Sequence, residues 1–287
     1  PTASGKSAWA VRLAKTYDGE IINADSMQVY ADLQILSARP ALDEMEGVPH
    51  HLFGHIDGSV RYSVGAWLRE VMPVIDDCIT RGKTPILVGG TGLYFKALTV
   101  GLAVVPEPNH DAVKAADDFL AKGIDVLRRK AEQLDPVAAA RVLGDDPQRL
   151  LRIVTVGLGT GKPLSVWQSE TKPAVLPSAW TGAILLPERA ALYGCINQRF
   201  DLMMDNGGFD EIQRVANRAL EASLPMMKAI GLPPLLAHMR GEISYETALE
   251  TAKRDTRRFA KRQFTWFRGQ SEGWTCVTEP DDKVYKE

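Results

Sequence analysis

The chain has 287 residues, of which 45% are hydrophobic and 24% charged, and its formal net charge is −2. This composition is typical of a soluble globular protein with one large or two modest domains, and it argues against a protein that coats nucleic acid over its whole surface. No apolar run approaches the roughly 20 residues that span a bilayer, and Cys78, Cys195 and Cys276 lie far apart without C-x-x-C spacing. We therefore expect a cytoplasmic protein with reduced thiols and no membrane contact.

Seven residues at the start of the chain match all but the first position of the phosphate-binding pattern G-x-x-x-x-G-K-[ST]. They are Pro1, Thr2, Ala3, Ser4, Gly5, Lys6 and Ser7. In such a loop, backbone N–H groups and the next helix's N terminus bind phosphate or pyrophosphate, Lys6 adds positive charge, and the Ser7 hydroxyl ligates Mg²⁺. The alternative is a helix cap beside a flexible glycine. The pattern's first glycine and its preceding strand would lie before Pro1, so we expect an N-terminally truncated sequence.

Apolar residues from Trp9 to Tyr17 recur at helical spacing, which predicts a helix directly after the loop. A short β-like run, E-I-I-N-A-D, follows at residues 20–25 and ends at Asp25. Ligands of parallel α/β sheets bind beyond the carboxyl ends of the strands, so Asp25 is predicted to lie beside the phosphate loop as a candidate base. The alternative is an aspartate that caps the next helix.

Three of the five histidines, His50, His51 and His55, lie within six positions. No carboxylate or cysteine stands at ligand spacing from them, so a loop packed against the sheet is favoured over a zinc site. Helical spacing of apolar residues between Tyr62 and Thr80 then predicts a second helix.

A second buried strand is predicted at Ile86–Val88, directly before Gly89, Gly90 and Thr91. Helical spacing resumes at Leu93. The two glycines allow a ligand to approach the backbone closely, and Thr91 presents a hydroxyl there. The alternative is a plain tight turn.

The pattern changes between about residues 100 and 180, where charged helical segments follow a proline-rich linker and no strand is convincing. This region is predicted to be a helical insertion. Asp146 and Pro147 supply an N-cap and a proline at the first helical position. The helix that they begin carries Arg149 and Arg152 one turn apart on one face.

The sheet is predicted to resume at Gly182–Leu186, and a helix over Leu192–Met204 carries Arg199. A later helix carries basic residues at i, i+3, i+4, i+7 and i+8, namely Arg254, Arg257, Arg258, Lys261 and Arg262. In a chain of net charge −2 this stripe indicates a surface for a phosphate backbone, with a solvated helix face as the alternative. Residues on another face of this helix are interpreted as packing: Phe259, Gln263, Trp266 and Phe267.

Motifs along essentially the whole chain occur in the order found in tRNA dimethylallyltransferases, the adenosine isopentenylating enzymes. They read P-T-A-S-G-K-S, N-A-D-S-M-Q-V-Y, P-H-H-L, I-L-V-G-G-T-G-L-Y, D-P-Q-R-L-L-R and A-K-R-Q-F-T-W-F-R. This resemblance implies an α/β fold, with a P-loop NTPase-like parallel sheet and flanking helices over 1–100 and 180–287 and an inserted all-helical domain over 101–179 that contacts tRNA. The implied reaction transfers a dimethylallyl group from dimethylallyl pyrophosphate to N6 of the adenosine 3′-adjacent to the tRNA anticodon, releasing pyrophosphate.

The resemblance also implies roles for individual residues. Asp25, Thr91 and Arg199 would be catalytic, and the seven loop residues would bind the donor pyrophosphate or a nucleotide, with Mg²⁺ at Ser7. The residues implied in tRNA binding are Asp25, Ser26, Met27, Gln28, Gln148, Arg149, Leu150, Leu151, Arg152, Lys228, Arg258, Lys261, Arg262, Gln263 and Arg268. Lys228 stands where the family usually has arginine. The implied partner is the anticodon stem-loop of tRNA, bound by a monomer.

Two other functions stay open on the sequence. A small-molecule kinase would use the same loop on ATP, but it would not need the basic stripe. A chain that lacks the strand before the loop would bind RNA without turnover.

Overall fold

The computed structural model describes residues 1–270 and 273–282. The chain divides into two compact units, one made of Pro1–Lys96 with Ser178–Glu287 and the other of Ala97–Pro177. We call the first the core unit and the second the helical unit. Of the helices in the described part of the chain, none combines the length and the apolar character needed to cross a membrane.

A three-stranded parallel sheet lies in the N-terminal part of the core unit. Its middle strand is β1 (Gly19–Asn23), which pairs with β2 (His50–His51) on one side and β3 (Thr84–Val88) on the other. Every residue of β1 is buried, as is usual for a parallel strand covered by helices. Because the strands are parallel, the residues that follow β1 and β3 lie at the same edge of the sheet.

Three helices accompany this sheet. They are α1 (Lys6–Thr16), α2 (Val64–Thr80) and α3 (Gly92–Thr99). Trp67 of α2 is fully buried and stacks on Tyr94 of α3, with ring centroids 4.3 Å apart. The apolar face of α1 packs on the sheet as its spacing predicted, in a cluster of Ala10, Val11, Ala14 and Ile21.

Five α-helices begin in the helical unit, and residues 97–177, all of which are described, contain no strand. The helices are α4 (His110–Ala121), α5 (Ile124–Leu134), α6 (Pro136–Ala140), α7 (Pro147–Thr160) and α8 (Leu164–Ser169). The predicted start of α7 is confirmed, because the Asp146 carboxylate accepts hydrogen bonds from the N–H groups of Gln148 and Arg149, both at 3.1 Å.

Two sets of hydrogen bonds add to the hydrophobic core of the helical unit. Asp135, which is 1% exposed, caps α6 and also accepts hydrogen bonds from the Ser165 N–H (2.7 Å) and hydroxyl (2.8 Å). At the boundary of the unit, the Leu98 carbonyl accepts from the N–H groups of Ala174 (2.9 Å) and Val175 (3.0 Å). The chain therefore enters and leaves this unit at adjacent points.

The rest of the core unit contains two short strands and four α-helices within its described residues. They are β4 (Ala183–Leu185), α9 (Arg189–Met203), α10 (Phe209–Asn217), α11 (Leu232–Met239), α12 (Tyr245–Gln270) and β5 (Thr275–Val277). The strand predicted at Gly182–Leu186 is confirmed as β4. However, β4 pairs in parallel with β5 in a second, two-stranded sheet, so the prediction that the first sheet resumes here is wrong for the described residues. A π-helical turn at Met204–Gly208 joins α9 to α10, and Gly207 has a φ of 90° there.

Candidate active site

The predicted phosphate loop leads directly into α1. Gly5 caps this helix with φ 84° and ψ 9°, a left-handed conformation that glycine adopts without strain. The Ser4 hydroxyl donates to the Pro1 carbonyl at 2.8 Å, which keeps the loop compact. The first N–H groups of an α-helix have no partner within the helix, so the start of α1 offers hydrogen-bond donors to an anion.

Lys6 and Arg199 bring two positive charges to this loop. Burial is the main cause that lowers the pKa of Lys6, while the charge of Asp25 raises it and that of Arg199 lowers it again. Burial also lowers the pKa of Arg199, against the charge of Asp25, and its guanidinium donates to the Thr2 hydroxyl oxygen. Two desolvated cations with one carboxylate leave a net positive charge, so the site favours an anion such as a pyrophosphate.

Asp25 follows β1 as predicted, and a neighbouring amide fixes its position. The fully buried Asn23 side chain donates to the carbonyls of Asp25 and Leu52, both at 3.0 Å, and accepts from the Asp25 N–H at 2.8 Å. Oδ1 of Asp25 accepts from the Met27 N–H at 3.0 Å, which orients the carboxylate. Sequence reasoning missed Asn23. Its signal was an amide at the end of a buried strand, where such a group needs hydrogen-bond partners.

Thr91 and the glycines before it pack against the segment that follows β1. The Thr91 hydroxyl accepts from the Ser26 N–H (2.9 Å) and donates to the Ser26 hydroxyl (3.2 Å), so Thr91 holds the residue next to Asp25. A Cβ on Gly89 would stand 2.0 Å from the Ala24 carbonyl oxygen. Close packing of the protein's own backbone is thus sufficient to require glycine at position 89, and the ligand approach suggested by the sequence stays a prediction.

Two glutamines implied in tRNA binding are buried, with their side-chain amides bonded to the protein. Gln28 is 8% exposed and donates to the Ala38 carbonyl at 2.8 Å. Gln263 is 4% exposed, accepts from the Thr2 N–H at 2.8 Å and donates to the Gly90 carbonyl at 2.9 Å. Little of either side chain is exposed and both amides are bonded within the protein, while the implied tRNA contacts of Gln28 and Gln263 stay predictions.

Three other residues of the core unit that were implied in tRNA binding keep some exposure. Ser26 and Met27 are half-buried directly after Asp25, and Met27 packs against the hydrophobic core. Lys228 is exposed at the end of the 3-10 turn Met226–Lys228. Of these three side chains, only Lys228 carries a charge.

The predicted basic stripe lies on α12. Its exposed members are Arg254, Arg258, Lys261 and Arg262, with Arg268 further along the helix. Arg257 is half-buried and donates to Oδ1 of Asn197 on α9 at 2.5 Å, so this residue is not part of the exposed stripe. The Arg262 guanidinium lies 5.6 Å from the centroid of the Phe259 ring, a cation–π contact that orients the side chain and keeps its charge.

The residues of the helical unit that were implied in tRNA binding lie along α7. Gln148, Arg149 and Arg152 are exposed, and Leu151 is half-buried. Leu150 is fully buried in the core of this unit. Because its side chain has no exposed surface, the implied tRNA contact of Leu150 is corrected.

One group of possible metal ligands occurs among the described residues, formed by Glu20, His51 and Cys78, whose ligand atoms lie within 4.8 Å of one another. The fold brings Glu20 and Cys78 to His51 from distant positions in the sequence, which the spacing around the histidines could not indicate. The loop favoured for this segment is corrected, because His50 and His51 form the strand β2. However, the Arg81 guanidinium donates to both oxygens of Glu20, at 2.5 and 2.8 Å. The Arg81 guanidinium takes the place beside the Glu20 carboxylate that a metal cation would need. We therefore interpret the group as a hydrogen-bonded network and not as a metal site.

The chain matches two family models. The model described as IPP transferase matches residues 28–270, and the model described as isopentenyl transferase matches residues 1–53. A tRNA dimethylallyltransferase of Maricaulis maris is 52% identical over 285 residues, which cover 99% of this chain and 92% of the relative. A tRNA dimethylallyltransferase of a Caulobacter species is 48% identical over 279 residues, covering 96% and 90%.

Solved structures are similar over the same length. The tRNA isopentenylpyrophosphate transferase of Bacillus halodurans is 33% identical with a TM-score of 0.71, over 100% of this chain and 91% of that one. A eukaryotic dimethylallyltransferase, described as acting on tRNA, is 27% identical with a TM-score of 0.83, over 99% and 73%. These similarities confirm the predicted α/β fold with a P-loop-like parallel sheet. Taken together with the matches in sequence, they show that the chain belongs to the tRNA dimethylallyltransferase family.

Proposed function

We propose that this protein transfers a dimethylallyl group from dimethylallyl pyrophosphate to N6 of the adenosine 3′-adjacent to the anticodon of tRNA, with release of pyrophosphate. The relatives are named tRNA dimethylallyltransferases. The observation that carries the proposal in this chain is the cluster of Lys6, Arg199 and Asp25 at the phosphate loop. This cluster combines an anion-binding charge with a single carboxylate that acts as a base.

The donor reacts by breaking the carbon–oxygen bond between the allyl carbon and pyrophosphate. Positive charge develops on the allyl group and negative charge grows on the leaving group. Lys6, Arg199 and the N–H groups of the loop stabilise this growing negative charge, which is greater in the transition state than in the bound donor. Their contribution is therefore to the rate as well as to donor binding.

The acceptor is the exocyclic amine of adenosine, a weak nucleophile because its lone pair is delocalised into the purine ring. As the carbon–nitrogen bond forms, a proton must leave the nitrogen. Asp25 accepts this proton, which then passes to solvent. Asn23 and the Met27 N–H hold the carboxylate in one orientation for this transfer.

The loop also fits a Mg²⁺ ion. Ser7 is half-buried in the first turn of α1 and offers a neutral hydroxyl oxygen, a ligand type that Mg²⁺ accepts. Since the loop residues 1–7 include no carboxylate, the ion would take its other ligands from pyrophosphate and water. When bound, Mg²⁺ would neutralise part of the charge on the leaving pyrophosphate.

The exposed arginines and lysine of α12 provide a binding surface for tRNA phosphates. Arg149 and Arg152 of α7 add exposed positive charge in the helical unit. An adenosine in a single-stranded loop is a suitable target because extruding it from its stack costs only a few kcal/mol. Phosphate contacts position the RNA, and they carry no sequence information themselves.

The proposal is tested with dimethylallyl pyrophosphate labelled in the allyl group. Label should appear in tRNA, and no labelled phosphate should pass from ATP to any product. Lys6→Ala should raise the KM for the donor and lower kcat by about 10²–10³-fold, the usual cost of removing one donor to a developing anion. Lys15→Ala is the matched control, because Lys15 lies on the same helix, is exposed and forms its ion pair within the described part of the chain with Glu46, at 2.6 Å. Donor kinetics unchanged by Lys6→Ala would contradict the proposal.

A further inference from the structure

We propose that Gln263 is a positioning residue that fixes the donor-binding loop relative to the loop that holds Asp25. This inference rests on the proposed function, because the positions it concerns are those of the leaving group and the base. Its starting point is the burial of Gln263, a polar side chain held inside the protein.

The Gln263 amide links two loops that are distant in the sequence. Its Oε1 accepts from the N–H of Thr2 in the phosphate loop at 2.8 Å, and its Nε2 donates to the carbonyl of Gly90 at 2.9 Å. The partner on Thr2 is a backbone N–H, which can only donate, and the partner on Gly90 is a carbonyl, which can only accept. These two partners therefore fix the orientation of the Gln263 amide. An ionised glutamate or a methionine of similar length cannot make both bonds.

Each end of this link continues to a group with a role in the reaction. On one side, the Thr2 hydroxyl oxygen accepts a hydrogen bond from the Arg199 guanidinium. On the other side, Gly90 precedes Thr91, whose hydroxyl holds Ser26 beside the base. One buried amide therefore sets the position of the leaving-group charge relative to the proton acceptor. A misplacement of about 1 Å between reacting groups can cost roughly 10²-fold in rate.

The glycines of the second loop provide an independent observation. A Cβ on Gly90 would stand 2.2 Å from Nε2 of Gln263, and a Cβ on Gly92 would stand 2.4 Å from the ring of Trp266. Both neighbours belong to α12, so this loop lacks side chains where α12 approaches it. A side chain at position 90 would therefore block the Gln263 amide from the Gly90 carbonyl, so this position requires glycine.

The test compares Gln263→Met, Gly90→Ala and the double variant with the parent protein. The φ of Gly90 is not in the left-handed region, so alanine fits the backbone there and its methyl group displaces the end of Gln263. Thr256→Val is the control, because Thr256 is also buried on α12 but its hydroxyl bonds only to the Ala252 carbonyl of the same helix, at 2.8 Å. The readouts are kcat and KM for the donor, affinity for inorganic pyrophosphate, affinity for tRNA and the melting temperature.

We expect Gln263→Met to lower kcat by about 10–100-fold, because the reacting groups lose their alignment. Pyrophosphate affinity should fall about fivefold or more, because Thr2 loses a buried partner. Affinity for tRNA should stay as in the parent. Gly90→Ala should have the same effects, and the double variant should lose little more than either single variant, because both changes break one link.

Two outcomes would overturn the positioning role. If Gln263→Met weakened tRNA binding but left kcat and pyrophosphate affinity unchanged, the residue would be an RNA contact. If Thr256→Val lowered kcat equally, the effect would be a general loss of stability in α12. A parent protein that binds pyrophosphate but transfers no dimethylallyl group would instead contradict the proposed function, and the pyrophosphate affinity of Gln263→Met would still decide the role of Gln263.

Discussion

Replacing Asp25 with asparagine tests the assignment of the base while the shape of the site is kept. The new side chain has the same size, and its amide oxygen can still accept from the Met27 N–H, which is 3.0 Å from Oδ1 in the parent. Asn23 contacts residue 25 through the backbone N–H and carbonyl of that residue, so these hydrogen bonds also persist. The substitution therefore removes a proton acceptor and a negative charge and little else.

These two losses act on different kinetic constants. Loss of a general base typically costs about 10²–10⁴-fold in rate, which corresponds to about 2.7–5.5 kcal/mol in the activation free energy. Loss of the negative charge acts in the opposite direction on the donor. Asp25 raises the pKa of both Lys6 and Arg199, which shows that its charge is felt at both cations. Without it the site is more positive, so dimethylallyl pyrophosphate should bind at least as tightly.

The assay is steady-state transfer of labelled dimethylallyl to saturating tRNA at varied donor concentration, which gives kcat and the donor KM, with tRNA affinity measured separately. We expect kcat to fall by at least 10²-fold with no rise in the donor KM and no change in tRNA affinity. Asp76→Asn is the matched control, because Asp76 is an exposed aspartate on α2 in the same unit. A loss in kcat below about tenfold, or a donor KM that rises as much as kcat falls, would refute Asp25 as the base.

Two further predictions concern charge outside the catalytic cluster. A triple alanine substitution of Arg258, Lys261 and Arg262 should flatten the slope of log tRNA affinity against log salt by roughly 0.7–0.9 per charge, and a slope equal to the parent's would make the stripe a solvated face. Arg81 is the main cause that lowers the pKa of Glu20 to about 2. The stability gained from this ionised carboxylate is present above its unfolded pKa of about 4.3 and is lost as the pH falls through the folded value. In urea unfolding, Arg81→Met should therefore show a stability deficit that is largest above about pH 5 and shrinks as the pH falls, and a deficit independent of pH would contradict the reasoning.

Much of the site's layout was predictable because it depends on short-range patterns and one topological rule. The spacing of apolar residues after Lys6 predicted α1, and Asp146 with Pro147 predicted the start of α7. The carboxyl ends of parallel strands share an edge, which predicted that Asp25 would lie near the phosphate loop. The electrostatic contact of Asp25 with Lys6 agrees with that prediction.

The contacts that sequence reasoning missed join residues that are far apart in the chain. The partners of Gln263 are 261 and 173 positions away, and Cys78 meets Glu20 across 58 positions. Helical spacing indicated that Gln263 shares a face with Phe267, and hence that it packs inside. No periodic pattern indicates which donor and which acceptor a buried amide will meet, because that depends on how separate elements pack together.

The adjacent ends of the helical unit have a consequence for how such proteins diversify. The Leu98 carbonyl accepts hydrogen bonds from the N–H groups of Ala174 and Val175. Gly101 has a φ of 116°, and a Cβ there would stand 2.4 Å from the Lys172 carbonyl oxygen. An insert whose ends meet in this way can lengthen or shorten at little entropic cost to its host, because the gap that the host must close stays the same. We therefore expect the length of the segment between these ends to vary more easily than the length of the host. Insertions, deletions and swaps between homologues should accumulate there faster than in the strands that hold Asp25.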